Sequence, residues 1–372
     1  MKKFLGISFI LIFGSGIAFL THRYIKNPEN SIPYPYIFNQ FENSVDIGNA
    51  PIIIIGDRLG KRLASFKELI ADKISENLST KVKIIDLTEK GEGLHRTIHK
   101  IKQLPRLPLI TIYLGGSEEF FEQKFQTKDI DNILLNFKLY DDDRIKTLLM
   151  IFPVLSRLLY QNVTYHQFTK NIKEDTNNYS DQIIQKRNII HFKLFEQELN
   201  ELFSFVKDKG SYLIALNQPI NIDLPPKKTC DGSIDQLSKD MLVQATELIK
   251  KRDYKAAYTI TKELVLIAPA NAKIHYIHGE VSRKLGLLKE AMNSLEMASA
   301  YDCKQWHGNP IFNKILTKTA LQNEVLVLDF KKIVYDQWNQ NVLFMDEIYP
   351  QNLYYERASE ALAGKIKKLL KL

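Results

Sequence analysis

52-IIIIGDRLGKRLASF-66 begins as a strand and ends as a helix. Four consecutive β-branched residues, Ile52 to Ile55, suit a strand buried on both faces, as parallel sheets contain. Leu63, Phe66, Ile70 and Ile74 then recur at helical spacing and give the following helix one apolar stripe. Gly56-Asp57-Arg58 is the junction, so the stretch opens a βα unit.

The same alternation continues. Val82 to Ile85 reads as a strand, Leu94 to Leu104 as a helix with Leu94, Ile98 and Ile101 on one side, and Leu109 to Leu114 as a strand. Phe192 to Val206 reads as a helix and Tyr212 to Leu216 as a strand that runs into the turn-rich NQPINIDLPPK. Beyond Cys303 come a strand over Val325 to Leu328, the stretch VLFMDEIYP, and a closing helix from about Asn352 to Leu370. Strands alternating with helices predict an α/β fold of three layers, a short parallel sheet covered on both faces. Ligands of such sheets sit outside the carboxyl ends of the strands. That rule places Gly56-Asp57-Arg58, Gly115-Gly116-Ser117-Glu118 and Asn217 on one rim.

Residues 231–302 interrupt the alternation with an all-helical pattern. Ala245, Tyr254, Ala257 and Pro269 fall at the spacings of a tetratricopeptide (TPR) repeat, whose period is about 34 residues. A shift by that period puts Gly279, Leu288, Ala291 and Cys303 in the equivalent places, with Gly286 and Ala298 at two further small positions. Small residues let antiparallel helices approach closely, and two repeats are too few to stand alone, so they should lean on the α/β part. The expected organisation is an N-terminal signal segment over 1–24, a linker over 25–50, an α/β domain over 51–230 and 303–372, and the helical insertion over 231–302.

The chain carries 51 Lys and Arg against 43 Asp and Glu, a formal charge of +8, spread without a block of like charges or a nucleic-acid module. A lysine-rich solvated surface explains this, and no nucleic-acid partner is expected. Residues 4–20, FLGISFILIFGSGIAFL, are uncharged and apolar after Lys2 and Lys3. They would span about 26 Å as a helix, enough for a thin bilayer, and cleavage after Ala18 is the competing reading. The anchor reading puts the chain in a bacterial inner membrane with a periplasmic domain, and the cleavage reading makes it an exported periplasmic protein. Such a location permits a disulfide between the two cysteines, Cys230 and Cys303, although two free thiols fit the sequence as well.

Gly56-Asp57-Arg58-Leu59, Gly91 or Gly93, Gly115-Gly116-Ser117-Glu118 and Asp346-Glu347-Ile348-Tyr349-Pro350 follow one another along the chain, and in this order they resemble the motifs of the GDSL or SGNH hydrolase family over roughly residues 50–230 and 303–372. The first strand ends in Gly56-Asp57-Arg58-Leu59 where the family has Gly-Asp-Ser-Leu. Gly91 or Gly93 of KGEGLHR stands for the oxyanion-hole glycine. Gly115-Gly116-Ser117-Glu118 stands for Gly-x-Asn-Asp, and Asp346-Glu347-Ile348-Tyr349-Pro350 for Asp-x-x-His-Pro. The resemblance implies an SGNH-like, flavodoxin-like sheet with a cleft at its carboxyl edge.

The departures fall on the chemistry. Ester hydrolysis by this route needs a nucleophile, a base within reach of it and donors aimed at the developing oxyanion. The nucleophile position holds Arg58, the base position Tyr349 and the oxyanion-hole asparagine position Ser117, leaving Asp57, Gly93 and Asp346 without a working centre. Loss of nucleophile or base costs around 10⁶ in rate. Arg58 is then either an ion-paired rim residue, held by Asp57, Glu118 or Asp346, or a planar donor for an anionic ligand alongside Gly116, Ser117, Glu118, Asn217 and Tyr349. His95 and His99, near Glu92, share an i, i+4 face compatible with metal, but no further ligand pattern accompanies them, and they read as polar-face histidines. No cofactor is expected. The expected function is binding, of a protein partner through the TPR-like helices and of an envelope glycan through the old cleft. The alternative is an esterase or deacetylase on acylated envelope glycans or lipids, rearranged around Asp57, Ser117 and Asp346.

Overall fold

The computed structural model describes residues 50–76, 81–122, 124–125, 127–141, 179–230, 234–304 and 307–371. The signal segment over 1–24 and the linker, but for its last residue, lie outside the described residues. Among the described residues no helix is long and apolar enough to cross a membrane. The chain divides into two compact units, one of Asn39–Gln123 with Asp175–Leu372 and one of Met1–Phe38 with Lys124–Glu174. The described part of the latter is a 3-10 turn at Thr127–Asp129 followed by a helix, Ile130–Asp141.

The larger unit is α/β. Five strands, β1 (Ile52–Gly56), β2 (Ile84–Asp86), β3 (Ile110–Leu114), β4 (Tyr212–Leu216) and β5 (Leu326–Leu328), form one sheet in the order β2-β1-β3-β4-β5. Every pairing is parallel. The order reverses direction between β1 and β3, which makes the carboxyl tips of those two strands the switch point where α/β sheets place ligands.

Helices cover both faces. In chain order the larger unit contains α1 (Arg58–Ala64), α2 (Lys67–Ser75), α3 (Leu94–Lys102), α4 (Asp181–Asp208), α5 (Gln236–Lys250), α6 (Tyr254–Ile267), α7 (Ala272–Lys284), α8 (Leu288–Tyr301), α9 (Pro310–Gln322), α10 (Phe330–Tyr335) and α11 (Asn352–Leu370). Ile52 and Ile54 pack with Leu59 and Leu63 of α1, Ile70 of α2, and Tyr355 and Leu362 of α11. Strand alternation turns the equally buried Ile53 and Ile55 to the opposite face, where α4 packs on both α3 and α9. Each fully buried isoleucine contributes roughly 1.5–3 kcal/mol, so β1 alone anchors several kcal/mol of core.

Helices α5 to α9 lie between β4 and β5, and the first four of them, α5 to α8, pack in consecutive pairs. Ala245, Ala257, Gly279, Ala291 and Ala298 are all buried there. A Cβ on Gly279 would lie 2.7 Å from Leu295 Cγ, so that helix crossing requires a glycine. Ala291 and Leu295 of α8 also join the core built on α1, α2 and α11, which seats the last helix of the array on the α/β part. Cys230 and Cys303 are joined in a disulfide with Cα atoms 5.9 Å apart, closing the two ends of the helical segment.

Candidate functional site

The switch point is built from two strand ends that glycines bring together. Gly56 has φ +133°, and a Cβ on it would lie 1.9 Å from the Leu114 carbonyl oxygen. Only glycine allows the tips of β1 and β3 to close to this extent. Asp57 follows as the N-cap of α1, its Oδ1 accepting from Leu59 N–H at 2.9 Å. Across the gap, Gly115 and Gly116, the latter at φ +109°, turn the chain after β3 and present Ser117. Both the N–H and the hydroxyl of Ser117 donate to Asp57 Oδ2, each at 2.7 Å.

Asp57 is therefore a buried carboxylate with three donors. Burial raises its pKa from 3.8 to about 6, against the pull of the Ser117 hydroxyl and of the Leu59 and Ser117 N–H groups, and Glu118 adds to the rise. Ser117 bonds to no histidine among the described residues. A serine hydroxyl that donates to a buried carboxylate has its proton occupied, and its own N–H is spent on the same carboxylate rather than aimed at an oxyanion.

Arg58 opens α1 beside this lock. Its Nε donates to Glu118 Oε1, and its guanidinium lies 5.7 Å from the centre of the Phe121 ring. Burial works against its charge, and the hydrogen bond and charge of Glu118, with Asp57, outweigh it and push its pKa up. Glu118 also accepts from Gly91 N–H at 3.3 Å, tying the loop before α3 to the rim. Tyr349 shares this field: burial raises its pKa, Arg58 lowers it, and Asp346, Glu118 and Asp57 raise it again. Asp346 spends its Oδ1 on the N–H groups of Ile348 and Tyr349, both at 2.7 Å, so it shapes its own turn rather than orienting a base.

The remaining sequence-derived residues divide. Gly93 is the N-cap of α3, and a Cβ there would lie 2.2 Å from Glu122 Oε2, so an anion bound at this glycine would meet a buried carboxylate. Asn217 ties the tips of β4 and β5 instead of joining the Arg58 group. Its Nδ2 donates to Asp329 at 2.8 Å and its Oδ1 accepts from Lys331 N–H at 2.9 Å. It lines a separate cleft of about 660 Å³ with Asn313, Lys314, Asp329, Lys331 and Lys332.

The sequence reads His95 and His99 as polar-face histidines; in the fold His95 is buried and His99 half-buried. His95 is buried with its Nδ1 3.9 Å from Glu198 Oε1, and His99 meets it edge-on with ring centres 4.6 Å apart. His95, Thr97 and Lys100 on the polar side of α3 are buried where α4 packs on the helix, and Lys100 is internally paired. Lys100 Nζ reaches Glu92 at 2.5 Å and the Leu87 carbonyl at 2.7 Å, and Thr97 donates to Glu92 at 2.9 Å. Among the described residues no group of three His, Cys, Asp or Glu is arranged to hold a metal.

Gln218 escaped sequence reasoning altogether. Its backbone pairs twice with the Asn313 side chain, at 2.8 and 2.7 Å, while its own amide is buried against Gly116 and Gly308. Neither its Oε1 nor its Nε2 has a hydrogen-bond partner among the described residues. No periodicity marks such a residue, since it lies just past the end of a strand.

Among the solved structures that this chain resembles are two hydrolases. A lipase/acylhydrolase from Enterococcus faecalis is 8% identical, covers 85% of this chain and 95% of its own, and has a TM-score of 0.37. LAE5, an α/β hydrolase enzyme from the metagenome of Lake Arreo, Spain, is 10% identical, covers 85% of this chain and 96% of its own, and has a TM-score of 0.38. Likeness of this extent carries no residue-to-residue correspondence. No family profile and no curated protein matches the sequence.

Proposed function

We propose that the chain is an SGNH hydrolase-like protein whose catalytic centre has degenerated and which works by binding. The observation that carries this reading is the Arg58–Glu118 pair beside the Asp57–Ser117 lock. The position that needs a nucleophile holds a cation bound to a carboxylate, and the nearby hydroxyl is bound to a second carboxylate instead of a histidine. Losing nucleophile and base together forfeits roughly 8 kcal/mol of transition-state stabilisation, which Asp346 cannot recover without an imidazole to orient. The rim retains a charged, half-buried guanidinium and the ring of Tyr349, which suit recognition of an envelope glycan bearing anionic groups. The TPR-like helices α5 to α8 supply a surface for a protein partner. The apolar segment after Lys2 and Lys3 supports export, with or without retention as an anchor, and the disulfide is in keeping with an oxidising compartment.

A second reading has one observation in its favour. Asp57, with its pKa near 6, is hydrogen-bonded to a serine hydroxyl and could serve as the base of an unconventional esterase. Hydrolysis of p-nitrophenyl acetate at high enzyme concentration separates the two. The binding reading expects no turnover above buffer, and turnover that Ser117→Ala abolishes would establish the esterase.

A further inference from the structure

Lys227 and Lys228, Lys239 of α5 and Lys273 of α7 line a cleft of about 430 Å³. Leu242 and Val243 form part of its wall, and none of the described residues lining it is acidic. Lysines gathered around one concavity concentrate positive potential at one place.

The wall that carries Lys227 and Lys228 is held rigidly. The N–H groups of both donate to the Asp302 carboxylate, at 2.9 and 3.0 Å, and Cys303 N–H donates to the Lys228 carbonyl at 3.0 Å. The Cys230–Cys303 disulfide fastens the same strip. Asp235 caps α5 and Asn271 caps α7, so the helices that bring Lys239 and Lys273 start at fixed points. Asp181 pairs with Lys228 at 2.6 Å, and Asp235 lies within the field of Lys239. Lys239 and Lys273 form no ion pair among the described residues. The backbone that carries these lysines is thus fixed before an anion enters, which leaves their side chains as the part to be ordered on binding.

The kind of anion follows from the donors. Among the described residues no arginine lines the cleft to offer the planar fork that matches a carboxylate, while ammonium groups approaching from several walls suit a tetrahedral oxyanion with more than one charge. A phosphate fills only a small part of the volume, and Leu242 and Val243 offer the remainder to an apolar group. We propose that this cleft binds a phosphate-bearing ligand with an apolar portion, either a soluble phosphate ester or the head group of an anionic lipid. This inference does not depend on whether the Arg58 rim is catalytic.

The test uses the full chain, Lys239→Gln/Lys273→Gln, and a control, Lys314→Gln/Lys332→Gln, that removes equal charge from the other cleft. Inorganic pyrophosphate is titrated calorimetrically, and vesicles of phosphatidylcholine with or without phosphatidic acid are cosedimented. At least one phosphate probe should bind, with affinity roughly tenfold weaker in the 239/273 variant and changed by no more than about twofold in the control. Pyrophosphate binding assigns the site to soluble phosphates, and binding to phosphatidic acid vesicles alone assigns it to lipid head groups. Absence of binding by both probes overturns the proposal, as does equal weakening in the two variants.

Discussion

Asp57→Asn should change stability by an amount that depends on pH, because the substitution removes a charge and an acceptor together. In the folded protein the Asp57 carboxylate accepts from Leu59 N–H at 2.9 Å and from Ser117 N–H and Oγ at 2.7 Å. An amide keeps one oxygen and points an NH₂ at donors on the other side, which costs about 1–3 kcal/mol. Burial, however, raises the pKa of Asp57 from 3.8 to about 6, a displacement worth about 3 kcal/mol at 1.36 kcal/mol per pH unit. A raised folded-state pKa means that the protonated acid favours folding. Its stabilising contribution is complete below about pH 4 and is lost as the pH climbs through about 6. Asparagine has no such loss. The variant should be the less stable protein at pH 4, and the difference should move by about 3 kcal/mol in its favour by pH 8, bringing the two proteins level or reversing their order. Urea titration followed by tryptophan fluorescence at pH 4, 5, 6, 7 and 8 measures this. A difference that stays constant across the series would refute the burial of an ionising Asp57.

Three other substitutions examine the frame around the rim. Gly56→Ala must place a Cβ where the Leu114 carbonyl sits and adopt φ +133°, so it should lower stability by more than about 3 kcal/mol in urea; a loss below about 1 kcal/mol would contradict the close approach of β1 and β3. Gly93→Ala pushes a methyl into the Glu122 carboxylate, 2.2 Å from its oxygen, and should cost about 1–3 kcal/mol by the same assay, with no effect expected only if Glu122 is not there. Replacing Cys230 and Cys303 with alanine releases a link across 73 residues and should reduce unfolding stability by about 2–5 kcal/mol; an unchanged midpoint would show that the bond contributes nothing.

Some of this was open to sequence reasoning and some was not. Ile52–Gly56 and Ile110–Leu114 were legible because strands buried on both faces are written as unbroken apolar runs. The closing helix Asn352–Leu370 was legible because Pro350 punctuates its start and its apolar positions keep a helical period. Helix α4 was expected over residues 192–206 and runs over Asp181–Asp208, since its first turns are polar and its Ser180 cap lies well before the apolar stripe becomes clear. At the rim, strand-end position and the SGNH-like stations already brought Asp57, Arg58, Ser117 and Glu118 together in the sequence. Their pairing was not legible there, because several ion pairs were open to Arg58 and only the fold selects Glu118. The burial of His95, Lys100 and Glu122 was equally hidden: hydropathy counts these residues as surface, and it takes the packing of α4 to enclose them with their own counter-charges.

Whether the Arg58 rim holds a reactive serine is tested most directly by intact-mass spectrometry after incubation with a fluorophosphonate, which adds covalently to activated serine hydroxyls. With Ser117 donating to Asp57 and Arg58 in the nucleophile position, the protein should keep its unmodified mass. A stoichiometric adduct that maps to Ser117 and disappears in Ser117→Ala would contradict the binding function and establish a working hydrolase.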